Sequence, residues 1–233
     1  GTASIPEMAT NLAVVLGNAQ GIGDATARTV LLAILMVLVG LAFKLSIVPF
    51  HFWCPDAFEG ASAEVAGFLS VASKGAAFGL LVRFCLAFVG SDSVPVPEVF
   101  TTLGLAMGAI AAVTVTFGNL AAYSQTNAKR LLAYSTIAHA GFMLMAVSAL
   151  VVVRAGGDAA SWSVARIAET SQNCIEGLLF YLFVYLFMNL GAFAVIALLR
   201  NQTFSEEIDS FNGVGWQAPA LCSCMVVCLF SLV

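Results

Sequence analysis

Three side chains that can take up and release a proton sit within long apolar runs: Lys44, Lys74 and His139. Lys44 lies in Gly-Leu-Ala-Phe-Lys-Leu-Ser-Ile-Val-Pro-Phe, Lys74 in Ser-Lys-Gly-Ala-Ala-Phe and His139 in Thr-Ile-Ala-His-Ala-Gly. An isolated lysine at the centre of a bilayer costs on the order of 3 kcal/mol. Low dielectric penalises the charged form of an amine, so the neutral form of a deep lysine comes within reach. Two deep lysines and a deep histidine are therefore the parts of a proton relay. Each also has a plainer use, as an ion-paired lysine that holds helices together or as a histidine that hydrogen-bonds between helices. Ser46, Ser73 and Thr136 lie close by in sequence and offer hydroxyls for a supporting water chain. Pro49 sits five residues after Lys44; a proline inside a span removes a backbone hydrogen bond and predicts a break there. Freed backbone groups at depth are tolerated where they line protein or a wet cavity.

The composition says what solvent these groups occupy. Of 233 residues, 61% are hydrophobic and 9% charged, with a net charge of -4. Soluble domains carry about 25% charged residues, so the chain reads as an integral membrane protein. The few basic residues exclude a soluble nucleic-acid binder, and the apolar content excludes a disordered tail. Six cysteines are too sparse for a disulfide scaffold. Cys222, Cys224 and Cys228 read as small packing residues of a helix, without an iron–sulfur spacing, and no metal site is expected.

Apolar runs without strand alternation predict an all-α, polytopic transmembrane helix bundle. A mixed segment over 1–28 precedes a transmembrane domain over 29–233. Spans are expected at 29–52, 63–89, 99–117, 129–153 and 174–199. A sixth, 219–233, is shorter than the roughly 17–25 residues a crossing helix needs. Glu64 and Glu176 are expected at helix starts, where a carboxylate meets the positive end of the dipole. Lys129 and Arg130 are expected to mark a helix end at the headgroups. Arg28, Arg83, Arg154 and Arg166 on one side against Lys129, Arg130 and Arg200 on the other do not orient the chain.

Two long motifs carry a resemblance. Gly40-Leu-Ala-Phe-Lys-Leu-Ser-Ile-Val-Pro-Phe-His-Phe-Trp-Cys-Pro-Asp56 resembles the signature of the antiporter-like subunits of respiratory complex I. Its continuation Ala57-Phe-Glu-Gly-Ala61 is closer to the subunit 2 branch of NADH:ubiquinone oxidoreductase, called N in bacteria. Gln125-Thr-Asn-Ala-Lys-Arg-Leu-Leu-Ala-Tyr-Ser-Thr-Ile-Ala-His-Ala-Gly141 resembles the family's second signature, and Phe211-Asn-Gly-Val-Gly215 a weaker third.

The resemblance implies an antiporter-like subunit with inverted helix repeats and a discontinuous helix at Pro49. Lys44 matches the channel lysine of that helix, Lys74 the connecting lysine of the next, and His139 a group of the central hydrophilic axis. It implies a non-redox, proton-translocating membrane-arm subunit, with no catalytic residue or cofactor of its own. NADH, FMN, iron–sulfur clusters and ubiquinone belong to the parent complex. By the same matching the chain is expected to be a central fragment, from about helix seven to the first half of helix twelve. The missing helices, with an acidic partner for Lys44, would come from other chains. Other membrane-arm subunits and membrane lipids are the expected partners, with no nucleic acid. The mitochondrial inner membrane is the expected location, and the bacterial plasma membrane the alternative. A subunit of a multi-subunit cation/proton antiporter is the alternative function.

Overall fold

A backbone surrounded by apolar side chains satisfies its N–H and C=O groups within its own helix, and helices account for most of the described residues. The computed structural model describes residues 7–8, 11, 14, 25–89, 97–155 and 163–231. Most of the expected segment 1–28 lies outside the described residues, as do Asp92 and Pro95, between the expected spans 63–89 and 99–117, and Gly156 to Asp158, between 129–153 and 174–199.

Helix α1 spans Ala25–Leu45 and α2 spans Trp53–Gly60. Helix α3, Ala63–Phe68, runs through a π-helical turn at Leu69–Ser73 into α4, Lys74–Phe88. Helix α5 covers Pro97–Ala122, α6 Ala128–Arg154 and α7 Val164–Thr203. A 3-10 turn, Ile208–Phe211, leads to α8 (Val214–Gln217) and α9 (Pro219–Ser231). Among the described residues, four helical stretches are long and apolar enough to cross a membrane: Ala63–Phe88, Phe100–Ala122, Ala128–Arg154 and Val164–Thr203. Shorter apolar helices occupy Leu32–Leu45 and Pro219–Ser231.

The stretch expected as one span over 29–52 is interrupted. Helix α1 ends at Leu45, and Ser46 takes a left-handed conformation at φ 59°. The Val48–Pro49 peptide bond is cis. The interrupted backbone is largely satisfied from within and from α5. Ser46 N–H donates to Phe43 O at 3.1 Å and Ile47 N–H to Ala42 O at 3.0 Å. Val48 N–H donates to Thr114 Oγ1 at 3.2 Å, and Trp53 Nε1 to Phe43 O at 2.9 Å. The turn is thus a built element rather than a frayed end.

Helix α7 begins ten residues before the expected 174, capped by Ser163, whose Oγ accepts from Arg166 N–H. Glu176 therefore lies well inside the helix, bonded to Gln172 at 2.7 Å, and not at a helix start. Glu64 does occupy the first turn of its helix. Helix α6 starts on a side-chain cap, with Asn127 Oδ1 accepting from Lys129 and Arg130 N–H at 2.9 and 3.2 Å.

Helices α5 and α6 approach closely because small residues face each other. A Cβ on Gly118 would stand 2.7 Å from Ala138 N, and one on Gly141 2.9 Å from Val115 N. Small-residue contacts of this kind let membrane helices pack backbone to backbone. Helix α6 is the most enclosed of the four long stretches. It contributes Ala140, Met143 and Leu144 to an apolar cluster shared with α1, α4 and α5. Leu132, Ala133 and Ile137 join a second cluster with α2, α3 and α7. Thr136 and His139 lie where one cluster gives way to the other.

Candidate proton-relay site

Lys74 is the first residue after the π-helical turn. Such a turn inserts an extra residue into a helix and re-aims the side chains that follow. The Lys74 side chain enters the bundle and is 2% exposed. Its Nζ donates to Thr136 O at 2.7 Å and to Thr136 Oγ1 at 3.0 Å, both on α6. The Thr136 hydroxyl in turn donates to Ala133 O at 2.8 Å, and Cys54 Sγ from α2 lies 4.0 Å from it. Among the described residues no carboxylate comes within ion-pair distance of Lys74.

One turn along α6, His139 is buried and its Nδ1 lies 2.5 Å from the Tyr181 hydroxyl of α7. Its ring also packs on Tyr185, with centroids 5.3 Å apart. The Tyr185 hydroxyl accepts from Asn189 Nδ2 at 3.1 Å, and the same Asn189 amide donates to Ser70 Oγ at 2.5 Å. Ser70 belongs to the π-helical turn and donates to Gly67 O at 2.6 Å. Tyr185, Asn189 and Ser70 are all essentially inaccessible. A polar axis thus runs from Lys74 and its π-turn through Thr136 to His139, flanked by the polar face of α7.

Of the expected site residues, Lys74, Thr136 and His139 come together. The others stand apart. Lys44, in the last turn of α1, is exposed on the described chain rather than enclosed. It lines an open groove with Leu41, Phe68, Leu69, Ala72 and Ser73. Ser73 therefore accompanies Lys44 in this groove, while the Lys74 amine is enclosed in the bundle. Ser46 is fully buried, and its Oγ has no hydrogen-bond partner among the described residues. Pro49 is exposed in the turn that separates α1 from α2.

Tyr181, Tyr185, Asn189 and Ser70 were not among the residues singled out in the sequence. A signal was present. Tyr181, Tyr185 and Asn189 recur at intervals of four inside an apolar run, which places one polar stripe along a helix. Their lack of charge hid them beside the lysines.

An ionic cluster closes the end of the bundle where α2, α6 and the chain after α7 meet. Lys129 Nζ lies 2.7 Å from Glu206 Oε2 and donates to Ala61 O at 2.6 Å. Arg200 Nε is 3.2 Å from the other Glu206 oxygen. Arg130 Nη1 reaches Asp56 at 2.6 Å and Glu59 at 2.7 Å. An antiparallel bridge pairs Asn127 with Glu207. Lys129 and Arg130, expected to mark a helix end, do lie in the first turn of α6, and Lys129 is 2% exposed and ion-paired there.

These features define a polytopic α-helical membrane protein with an enclosed polar axis and an interrupted helix beside it. The chain belongs to the NADH:quinone oxidoreductase/Mrp antiporter transmembrane family, whose model matches residues 1–156 and 158–233. It is 38% identical over 238 residues to NADH-quinone oxidoreductase subunit N of Anaeromyxobacter sp., covering 100% of this chain and 42% of that protein. It is 42% identical over 216 residues to subunit N 1 of Roseiflexus castenholzii, covering 90% and 37%. The chain thus spans about two-fifths of the length of the curated relatives it matches. In respiratory complex I from Thermus thermophilus, one chain is 31% identical with a TM-score of 0.62, covering 98% of this chain and 44% of that one. A chain of an archaeal membrane-bound sulfane sulfur reductase shares the fold, with a TM-score of 0.71 at 20% identity, 96% of this chain and 41% of that one being covered.

Proposed function

We propose that this chain forms part of a proton-translocating, non-redox membrane subunit of an NADH:quinone oxidoreductase. The observation that carries the reading is the enclosed amine of Lys74, held by the carbonyl and hydroxyl of Thr136 with no described carboxylate in reach. An ammonium fixed by a partner acid is stable in one charge state. An amine held by neutral oxygens in a dry bundle can take a proton from one side and lose it to the other. His139, one turn further on, is the next group able to do the same.

The resemblance assigns Lys44 the part of channel lysine at the interrupted helix. Lys44 lines an open groove with Ser73, the neighbour of Lys74 in the chain. A change in this turn bears on both lysines, because Ser73 and Lys74 are consecutive. Ser46 lies two residues after Lys44, and the Thr136 hydroxyl accepts from Lys74 at 3.0 Å. Redox steps involving NADH, FMN, iron–sulfur clusters and quinone are assigned to other subunits, which are the partners of this reading. The relatives named above as subunit N are bacterial, which supports a bacterial plasma membrane; they lend no support to a mitochondrial location.

The test is proton movement per NADH oxidised by the assembled complex in proteoliposomes. Lys74→Met is expected to assemble, oxidise NADH when uncoupled, and move fewer protons. Lys44→Ala is expected to behave alike. Undiminished pumping in a well-assembled Lys74→Met complex would overturn the role of Lys74. Purification with antiporter chains alone, free of flavin and iron–sulfur subunits, would overturn the oxidoreductase assignment in favour of a cation/proton antiporter.

A further inference from the structure

The His139–Tyr181 pair opens onto a cavity that the path from Lys74 does not use. This cavity, of about 200 Å³, is lined by His139, Phe142, Tyr181, Tyr185, Met188 and Ser231, among others. A water occupies about 30 Å³ of liquid, so the space has room for several. Among the described residues, the Tyr181 hydroxyl is the one hydrogen-bond partner of His139. Tyr185 lines the same cavity, but its hydroxyl is already engaged by Asn189. Tyr181 is half-buried, with its ring at the wall and its hydroxyl on Nδ1.

We propose that Tyr181 is a proton-relaying residue, whose hydroxyl passes protons between water in this cavity and Nδ1 of His139. The inference rests on the proposed function above and extends it to a second face of the histidine. With His139 neutral and its proton on Nε2, the Tyr181 O–H donates to Nδ1. A hydronium in the cavity gives a proton to Tyr181 Oη as the original O–H proton moves to Nδ1. Two O–H bonds break, one of the hydronium and the original one of Tyr181, while one new O–H bond on Tyr181 and one N–H bond form. Tyr181 is neutral before and after, the hydronium becomes water, and His139 becomes an imidazolium. Release of the Nε2 proton to a water molecule leaves the Nδ1–H tautomer, and the reverse sequence returns a proton to the cavity. Histidine suits this work because its two nitrogens can be loaded from different sides. Hydroxyl and water relays of this type are general acid–base transfers in series.

Other titratable groups face the pair. Lys74 of α4 is bonded to Thr136, one turn before His139 on α6. Tyr185 of α7 stacks against the ring, and Cys54 of α2 reaches Thr136. None of them lies between Nδ1 and the cavity in the hydrogen-bond pattern.

The experiment uses the assembled oxidoreductase in proteoliposomes, measuring protons moved per NADH against pH. Tyr181→Phe keeps the ring and removes the hydroxyl; it is expected to lose the share of proton movement that Lys74→Met also loses. Replacing Tyr181 with 2,3,5-trifluorotyrosine keeps a hydroxyl of greater acidity. This variant is expected to pump, with its pH profile displaced from that of the parent. If Tyr181→Phe pumps like the parent while Lys74→Met does not, the inference is wrong and the proposed function stands. If both pump like the parent, the proposed function itself fails. A trifluorotyrosine profile that coincides with the parent's overturns the relay in favour of a packing role. That variant also decides the matter if Tyr181→Phe fails to assemble.

Discussion

Lys74 Nζ donates to both oxygens of Thr136, the carbonyl at 2.7 Å and the hydroxyl at 3.0 Å, across the α4–α6 contact. Both acceptors are neutral. The pair therefore offers hydrogen bonds without a fixed counter-charge, the circumstance in which an amine can change protonation state at low cost in structure.

Replacing Lys74 with arginine tests this directly. A guanidinium keeps the positive charge but does not release its proton in a protein. Lys74→Arg is expected to retain charge and lose pumping, as Lys74→Met does. Proton movement by Lys74→Arg at the parental ratio would show that a permanent charge suffices.

The Asn189 amide bridges Ser70 of the π-turn and Tyr185 of α7. Asn189→Leu keeps similar bulk and leaves two buried hydroxyls each short of a partner. An unsatisfied buried polar group costs about 1–3 kcal/mol. The expected outcome is earlier loss of the assembled complex on heating in detergent, and an unchanged melting profile would contradict the bridge.

Packing of α5 on α6 depends on two glycines. A methyl on Gly118 would stand 2.7 Å from Ala138 N, and one on Gly141 3.0 Å from Ala111 O. Backbone atoms cannot turn aside as a side chain can. Gly118→Ala and Gly141→Ala are each expected to destabilise by about 1–3 kcal/mol, as overpacking does. Assembly yield and thermal stability are the readouts.

The ionic cluster separates buried from exposed pairs. Arg130 is 31% exposed and Asp56 71%, so Asp56→Asn is expected to cost at most about 1 kcal/mol. Lys129 is 3% exposed, and Glu206→Gln removes the charge beside it. Leaving a buried charge uncompensated costs about 3–5 kcal/mol; the slight exposure of Glu206 puts this case at the lower end. Thermal stability should therefore rank Glu206→Gln well below Asp56→Asn.

Much of the fold was legible because bilayer physics leaves few choices. Unbroken apolar runs around Lys74 and His139 demanded helices, and Pro49 announced an interruption. The interruption takes more residues than a proline kink, because Ser46 turns left-handed and α2 starts afresh at Trp53. Lys74 and His139 were legible by charge type, and Thr136 by its place one turn before His139. Their union across α4 and α6 was not, since it depends on the π-turn that re-aims Lys74. Lys44 sits in an equally apolar run yet lies exposed on the described chain, so hydropathy alone does not separate an enclosed lysine from a groove-lining one. The polar stripe of α7 was legible only as a spacing of four among neutral residues.

In the proposed function Lys74 changes its protonation state during turnover. Infrared difference spectroscopy of the assembled complex, recorded between resting and NADH-driven states with ¹⁵N-labelled lysine, measures it. An isotope-sensitive ammonium band is expected to appear or vanish with turnover and to be absent from Lys74→Met. A difference spectrum identical in the parent and Lys74→Met complexes would contradict it.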